Sequence, residues 1–331
     1  MSVKMSDKSE PPFKINTAIV NLATEISALV ERVAIRLEQS DSLRLRRINQ
    51  IQSIHSSLAI EGNSLSEGQV SDIIDGKRII APEREILEVK NALRTYELYP
   101  SLKAFSEKDL LKAHAVMMQG IISDAGKYRN CNEGVFKGNK CVHFAPPPNM
   151  VPILMKNLFS WLKNSKDHWL VRSCVFHYEF EFIHPFRDGN GRIGRLWQSL
   201  ILGKWNPLFA HLPVENLVYA NQHAYYNAIN ASSTAGDCSI FVEFMLNRIR
   251  DSLKAMQKVD AVADARKPFV LTDRQKKIVT LLKKNNFATE KEMAEKFAVT
   301  TRTIERDLAK LQDNGILERA GSKRDGYWVV K

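Results

Sequence analysis

The run His184-Pro185-Phe186-Arg187-Asp188-Gly189-Asn190-Gly191-Arg192-Ile193-Gly194-Arg195 lies between two segments with helical patterning. Upstream, Trp169 to Ile183 is largely apolar and aromatic, has no Gly or Pro, and is long enough for a buried helix that delivers His184 to its end. Downstream, helix spacing resumes from Ile193 to Leu202. Pro185 stops the first helix, while Gly189 and Gly191 permit backbone geometries that residues with a Cβ resist. The expected product is a tight loop feeding a helix N-terminus. Unpaired N–H groups and the helix dipole converge there on an anion, most naturally a phosphate.

The side chains of the same run extend that expectation. Arg192 and Arg195, spaced i, i+3, can present two guanidinium groups from one face, which suits a diphosphate or triphosphate. Asp188 is a lone carboxylate beside the cradle, the donor that Mg²⁺ takes together with phosphate oxygens. His184 supplies the only group nearby that titrates near neutral pH and is the natural general base.

Every defined position of this run matches the signature of the Fic family, His-x-Phe-x-Asp/Glu-Gly-Asn-Gly-Arg-x-x-Arg, and the chain therefore resembles that family. The resemblance implies a helical fold and transfer of AMP from ATP to a hydroxyl side chain of a protein. His184 would deprotonate the acceptor hydroxyl and Asp188 would hold Mg²⁺. Gly189, Asn190 and Gly191 would line the anion cradle, Arg192 and Arg195 would bind the outer phosphates, and Phe186 would anchor the loop in the core.

Toward the N-terminus, apolar residues recur at helical intervals, with Leu22, Ile26, Leu29, Val30 and Val33 on one face. A second helical segment, Leu43 to Ile60, runs into Glu61-Gly62-Asn63, where Gly62 suits a helix C-cap and Ser64 and Ser66 suit the start of the next helix. Ser57 and Glu61 lie i, i+4 on this helix. Set beside the resemblance, Ser57-x-x-x-Glu61-Gly62 looks like the family's inhibitory motif, whose Glu pairs with the second signature arginine, here Arg195.

Arg84 to Tyr99 and Glu107 to Gln119 read as further helices. The pattern then changes. Gly134 to Lys137 and Lys140 to Phe144 flank Gly138-Asn139, a two-residue hairpin turn. The family's flap falls here and holds the target segment as an added strand, so Val135 and Phe136 are its docking candidates. Val218 to Asn230 reads as one helix and Cys238 to Ile249 as another. The resemblance makes Tyr226 an adenine contact, and it puts Ser233 where some relatives carry an Asn.

Past Pro268, Thr272-Asp273, Thr289 and Val299-Thr300-Thr301 open three helices, and Ile316 to Arg319 and Tyr327 to Val330 read as two strands. This resembles a winged helix-turn-helix, with Arg302 to Gln312 as recognition helix and Ser322 to Asp325 as wing tip. Arg302, Arg306, Lys323 and Arg324 are its candidate DNA contacts. From Pro268 onward 14 Lys and Arg stand against 9 Asp and Glu, while the whole chain carries +11, so the basic excess is not confined to this segment.

The fold class expected is mainly α: a Fic-type helical bundle with a small β-hairpin flap, plus a C-terminal winged helix-turn-helix domain. The expected division is a flexible N-terminus (1–14), an N-terminal helical region with the inhibitory helix (15–110), a catalytic core (111–250), a linker helix (251–267) and the winged helix (268–331). No apolar run is long enough to cross a bilayer, and residues 1–14 lack a signal-peptide core, so a cytoplasmic protein is expected. Four cysteines without zinc-finger spacing read as free thiols. The function expected is an autoinhibited protein adenylyltransferase using ATP and Mg²⁺ on Ser, Thr or Tyr hydroxyls of a target protein and of itself, with a homodimer implied by the family. Three alternatives stand beside it: removal of AMP by the same site, with Glu61 activating water; a DNA-binding regulator whose core only senses nucleotide; and a core that uses UTP or another nucleotide, since the cradle reads phosphates and not bases.

Overall fold

The computed structural model describes residues 10–38, 42–137, 140–210, 214–265, 271–313, 315–320 and 326–330, which divide into two compact units, Met1–Val259 and Asp260–Lys331. In chain order the first carries α1 (Thr17–Glu38), α2 (Ser42–Ile60), α3 (Glu67–Ile74), α4 (Glu83–Leu98), α5 (Glu107–Met117), β1 (Gly134–Lys137), β2 (Lys140–Phe144), α6 (Val151–Asn164), α7 (Trp169–Ile183), α8 (Asn190–Trp205), α9 (Val214–Ala220), α10 (Gln222–Ala235) and most of α11 (Ser239–Ala265), which crosses the boundary at Val259. The second carries α12 (Asp273–Lys284), α13 (Glu290–Lys296), α14 (Thr301–Asp313), β3 (Leu317–Ala320) and β4 (Tyr327–Val330). Among the described residues no helix is long and apolar enough to cross a membrane.

The first unit is built around α7. Eleven of its fifteen residues are buried, so it has no solvent stripe and must lie at the centre. Phe176, Phe180 and Ile183 join one core with Ile54, Leu58, Phe186 and Trp197, and Leu170, Val171, Cys174, Val175 and Tyr178 join a second with Ile26, Val30, Phe241 and Leu246. Helix α8 packs along α7 and shares both cores, which fixes the loop between them from two sides. Helix α2 lies against α3, α4, α8 and α9 and buries Ile51, Ile54 and Leu58, which brings the end of α2 to the start of α8.

Local signals explain most boundaries. Ser66 caps α3 in a full capping box with Gln69, while Ser64 instead bonds Glu85 of α4. Gly62 takes φ +92 after α2, a conformation glycine adopts without strain. β1 and β2 pair antiparallel, Gly134 opposite Phe144, with an irregularity between Val135 and Phe136. The expected turn residues Gly138 and Asn139 lie outside the described residues. Three expectations change. The segment read as one helix from Val218 is two, α9 and α10, broken at Asn221. The second signature helix begins at Asn190 rather than Ile193, and the residues read as a linker continue α11 without a break to Ala265.

The second unit has its own core of Ile278, Leu282, Met293, Ile304, Leu308, Leu311, Leu317 and Trp328. Thr272 and Thr289 begin α12 and α13 with capping boxes completed by Gln275 and Glu292. β3 pairs with β4, Leu317 opposite Val330, and Trp328 N–H donates to Asn286 O at 2.8 Å, which ties the strands to the helices. Among the expected DNA contacts, Arg302 and Arg306 are exposed on α14, whereas Lys323 and Arg324 lie outside the described residues. Asp307 points inward, 4% exposed, and binds Arg274 at 2.6 Å.

Candidate active site

His184 ends α7 in the left-handed conformation, φ 49 and ψ 61, and Gly189 repeats that hand at φ +84 just before α8. Between them the chain turns tightly enough to bring Asn190 back on Phe186. Asn190 Nδ2 donates to Phe186 O at 2.8 Å and its Oδ1 accepts from Phe186 N–H at 2.9 Å. The Asn190 side chain therefore closes the loop rather than lining the cradle, and only its backbone belongs to the N-terminus of α8. Phe186 is fully buried and stacks on His114 with ring centroids 3.6 Å apart. His114 Nδ1 accepts from Gly126 N–H at 2.8 Å, so Nε2 carries the proton and donates to Asp188 O at 2.9 Å. Burial pushes its pKa down to about 4, and the ring stays neutral. A Cβ on Gly189 would come within 2.7 Å of Met118 Sδ, so this position needs glycine for space as well as for hand.

The N–H groups of the first turn of α8 have no intrahelical acceptor. In front of them stands the Glu61 carboxylate. Its Oε1 accepts from Arg195 Nη2 at 2.8 Å, and a Cβ on Gly191 would lie 2.4 Å from that oxygen. Arg195 is 3% exposed and also donates to Ser57 O at 2.9 Å and Ser57 Oγ at 3.2 Å, so Ser57 and Glu61 act on it together. Burial works against its charge, but Glu61 and then Tyr225 more than offset this and hold its pKa above the ordinary value. Arg192, also 3% exposed, bonds Asp188 Oδ1 at 2.9 Å and lies 3.7 Å from Glu88. Both signature arginines thus face carboxylates, and the buried Arg192 Nε has no hydrogen-bond acceptor among the described residues.

Asp188 Oδ1 also accepts from Gly189 N–H at 2.6 Å, while Oδ2 lies 3.7 Å from Arg84 and faces the more open side. Among the described residues no group of three or more His, Cys, Asp or Glu side chains is placed to hold a metal. One carboxylate beside a phosphate cradle still fits Mg²⁺, which completes its shell with phosphate oxygens and water. Tyr225 is buried and bonds His177 Nε2 at 2.9 Å, whereas Tyr226 is 41% exposed, its hydroxyl pKa raised by partial burial and by Glu61. Ser233 Oγ bonds the Tyr178 hydroxyl at 3.1 Å. Val135 and Phe136 have described backbones in the hairpin, and their side chains lie outside the described residues.

Four residues with no part in the sequence reading join the site. His114 and Arg129 hold the loop, and Glu88 faces Arg192 while accepting from Asn63 Nδ2 at 2.9 Å. Glu181 lies under Gly194 close to Arg195, where burial pushes its carboxyl pKa up to about 7. Glu181 is thus a second candidate group near the loop, where the sequence pointed to His184 alone.

Residues 104–202 match the Fic/DOC family and residues 274–321 the DeoR-like helix-turn-helix domain. A probable protein adenylyltransferase of Aquifex aeolicus is 29% identical over 230 residues, 62% of this chain and 70% of its own. A protein adenylyltransferase Fic of Aedes aegypti is 31% identical over 208 residues, 59% of this chain, and the chain spans only 39% of that relative's length. The crystal structure of a Fic family protein from Desulfovibrio desulfuricans G20 superimposes with a TM-score of 0.74 at 39% identity, covering 98% of both chains. Fic-1 of C. elegans shares the fold at a TM-score of 0.58 and 20% identity, with 74% of this chain and 73% of that one covered. With the complete signature on the α7–α8 loop and a full-length relative of that identity, the chain belongs to the Fic family.

Proposed function

We propose that the protein is a protein adenylyltransferase held in an inhibited state by Glu61. The observation that carries this reading is the Glu61 carboxylate itself, seated on Arg195 at the N-terminus of α8 where Gly191 leaves room for an anion. A site that accepts a carboxylate there, with a second buried arginine short of one acceptor, is built for the phosphates of a nucleotide. The names of the curated relatives support ATP as the donor.

In this reading Arg195 binds the outermost phosphate once Glu61 has left it, and Arg192 binds the neighbouring one. Asp188 would hold Mg²⁺, which would supply neutralisation of phosphate charge. His184 takes the proton from a Ser, Thr or Tyr hydroxyl of the target. The oxygen attacks the α-phosphorus in line, the bond from that phosphorus to the bridging oxygen breaks, and pyrophosphate leaves with the electron pair. The hairpin presents the acceptor as an added strand, and Tyr226 borders the base. While Glu61 stays on Arg195, the outer phosphate has no ligand and the α-phosphorus is not aligned. Self-modification, homodimerisation and a cytosolic location belong to the same proposal.

The second unit is proposed to bind DNA through α14. Asp307 is turned inward onto Arg274, so Arg302 and Arg306 face solvent without that acid beside them.

ATP labelled at the α- or the γ-phosphate tests the transferase reading on Glu61→Gly. The proposal requires the α-label on protein and no γ-label. Transfer of the γ-label alone identifies a phosphotransferase and overturns it.

A further inference from the structure

Three consecutive carbonyls at the catalytic end of α7 are bonded to a single residue, Arg129. Nη2 donates to Ile183 O at 3.2 Å, Nε to His184 O at 2.7 Å, and the backbone N–H to Pro185 O at 2.9 Å. The same guanidinium reaches the neck of the hairpin from both sides, with Nη1 donating to Cys131 O at 2.9 Å and Nη2 to Pro146 O at 2.5 Å. The neck is closed between these two points by Ala145 N–H donating to Glu133 O at 3.1 Å. Arg129 is 2% exposed, so these bonds are made away from water.

Each half of this arrangement answers a local need. The last carbonyls of a helix lack partners, and His184 sits in a left-handed conformation that residues with a Cβ resist. A conformation of that kind persists only where neighbours over-determine it, and here the three carbonyls of residues 183, 184 and 185 are all engaged. On the other side, an isolated two-stranded hairpin is marginal in water and has to lean on the body of the fold. The planar fork of a guanidinium spans these four backbone carbonyls at once. A lysine, with three donors at one point, does not.

Taking His184 as the general base and the hairpin as the target's docking strand, as proposed above, we infer that Arg129 is a positioning residue that keys the catalytic base to the hairpin. It holds the His184 backbone in its left-handed turn and holds the hairpin neck at a set distance from it. The acceptor hydroxyl and the base are thereby brought into register by one side chain that touches neither substrate.

The test uses Arg129→Lys and Arg129→Ala in the full-length Glu61→Gly protein. The kcat for AMP transfer falls by about 100-fold in both, the cost of misplacing reacting groups, while the affinity for ATP is unchanged. Guanidinium ion below denaturing concentration restores part of the activity of Arg129→Ala and none of Arg129→Lys. In hydrogen exchange, the amides of 131–146 and of 183–186 speed up together. A Lys variant that transfers at the parental rate, a loss of ATP affinity in step with kcat, or loosening of one segment without the other overturns the inference. Should the Ala variant not fold, the Lys variant, which keeps the charge, carries the test. If the Glu61→Gly parent itself transfers no AMP, the transferase reading has failed separately, and the paired change in hydrogen exchange alone decides whether Arg129 couples the two segments.

Discussion

Replacing Glu61 by Gly removes the carboxylate bonded to Arg195, and the structure sets the size of the effect. Arg195, whose side chain is 3% exposed with Glu61 in place, keeps its two bonds to Ser57 but gives up the 2.8 Å bond to Glu61. A hydrogen bond to a charged group contributes about 1.5–3 kcal/mol, and breaking a fully buried pair costs about 3–5 kcal/mol. The Glu61 side chain is 32% exposed, so water carries part of the load and the expected loss is about 1–2 kcal/mol. For a unit of this size that lowers the melting temperature by roughly 3–6 °C. Saturating ATP with Mg²⁺ closes the gap. The outer phosphate takes the place that Glu61 left, no carboxylate has to be displaced, and the affinity rises by about tenfold for each 1.4 kcal/mol no longer spent on displacement. Scanning fluorimetry with and without ATP therefore shows a variant that melts below wild type alone and gains more from nucleotide. Glu61→Gln, which keeps a neutral acceptor, falls between the two. Equal melting temperatures and equal nucleotide shifts in wild type and Glu61→Gly would refute the placing of Glu61 in the phosphate position.

Three further outcomes follow from individual side chains. Gly191→Ala drives a methyl to within 2.4 Å of Glu61 Oε1 and 2.8 Å of Arg195 Nη1, both at the ends of flexible side chains, so the protein folds but neither Glu61 nor a phosphate seats on the helix; calorimetric titration should show ATP binding weakened by tenfold or more, at a cost of about 1.4 kcal/mol or above. Glu181 has a folded-state pKa of about 7 against an ordinary value of 4.5, so the folded protein holds a proton that the unfolded chain has released, and this group's contribution to stability falls as pH rises from 4.5 to 7; Glu181→Gln removes that fall, and urea unfolding should find the variant gaining on wild type by on the order of 1–2 kcal/mol at pH 8 with little difference near pH 4.5, whereas an offset independent of pH contradicts the assignment. Arg302→Ala with Arg306→Ala should weaken duplex DNA binding across sequences and lower the slope of log affinity against log salt by about 1 for each phosphate no longer neutralised, measured by anisotropy.

The parts of the site that were legible in the sequence are those whose chemistry is local. A helix, a stop at Pro185, two glycines and a second helix define the loop within twelve residues, and the i, i+4 spacing of Ser57 and Glu61 already put both on one face. Helical periodicity also located much of the first unit, because helices such as α1 carry one apolar face and residues such as Ser66 and Gly62 end or begin helices in ordinary roles. What lay beyond reach comes from elsewhere in the chain. Arg129, Glu88 and His114 arrive 55, 104 and 74 residues away from His184, Arg192 and Asp188, their partners in the loop, and none carries a spacing that marks it. The inward role of the Asn190 side chain was hidden because residue type alone does not say whether an amide faces a ligand or its own backbone. The break at Asn221 was invisible because apolar residues keep helical spacing across it, and the inward turn of Asp307 depends on Arg274, a helix away.

The claim at the centre of this account is that the loop from His184 to Arg195 transfers AMP and that Glu61 holds it shut. Intact-protein mass spectrometry of wild type, Glu61→Gly and Glu61→Gly/His184→Ala after incubation with ATP and Mg²⁺ tests both halves at once. Glu61→Gly should carry added AMP, wild type little and the double variant none. Equal modification of wild type and Glu61→Gly, or an AMP adduct that survives the loss of His184, would contradict it.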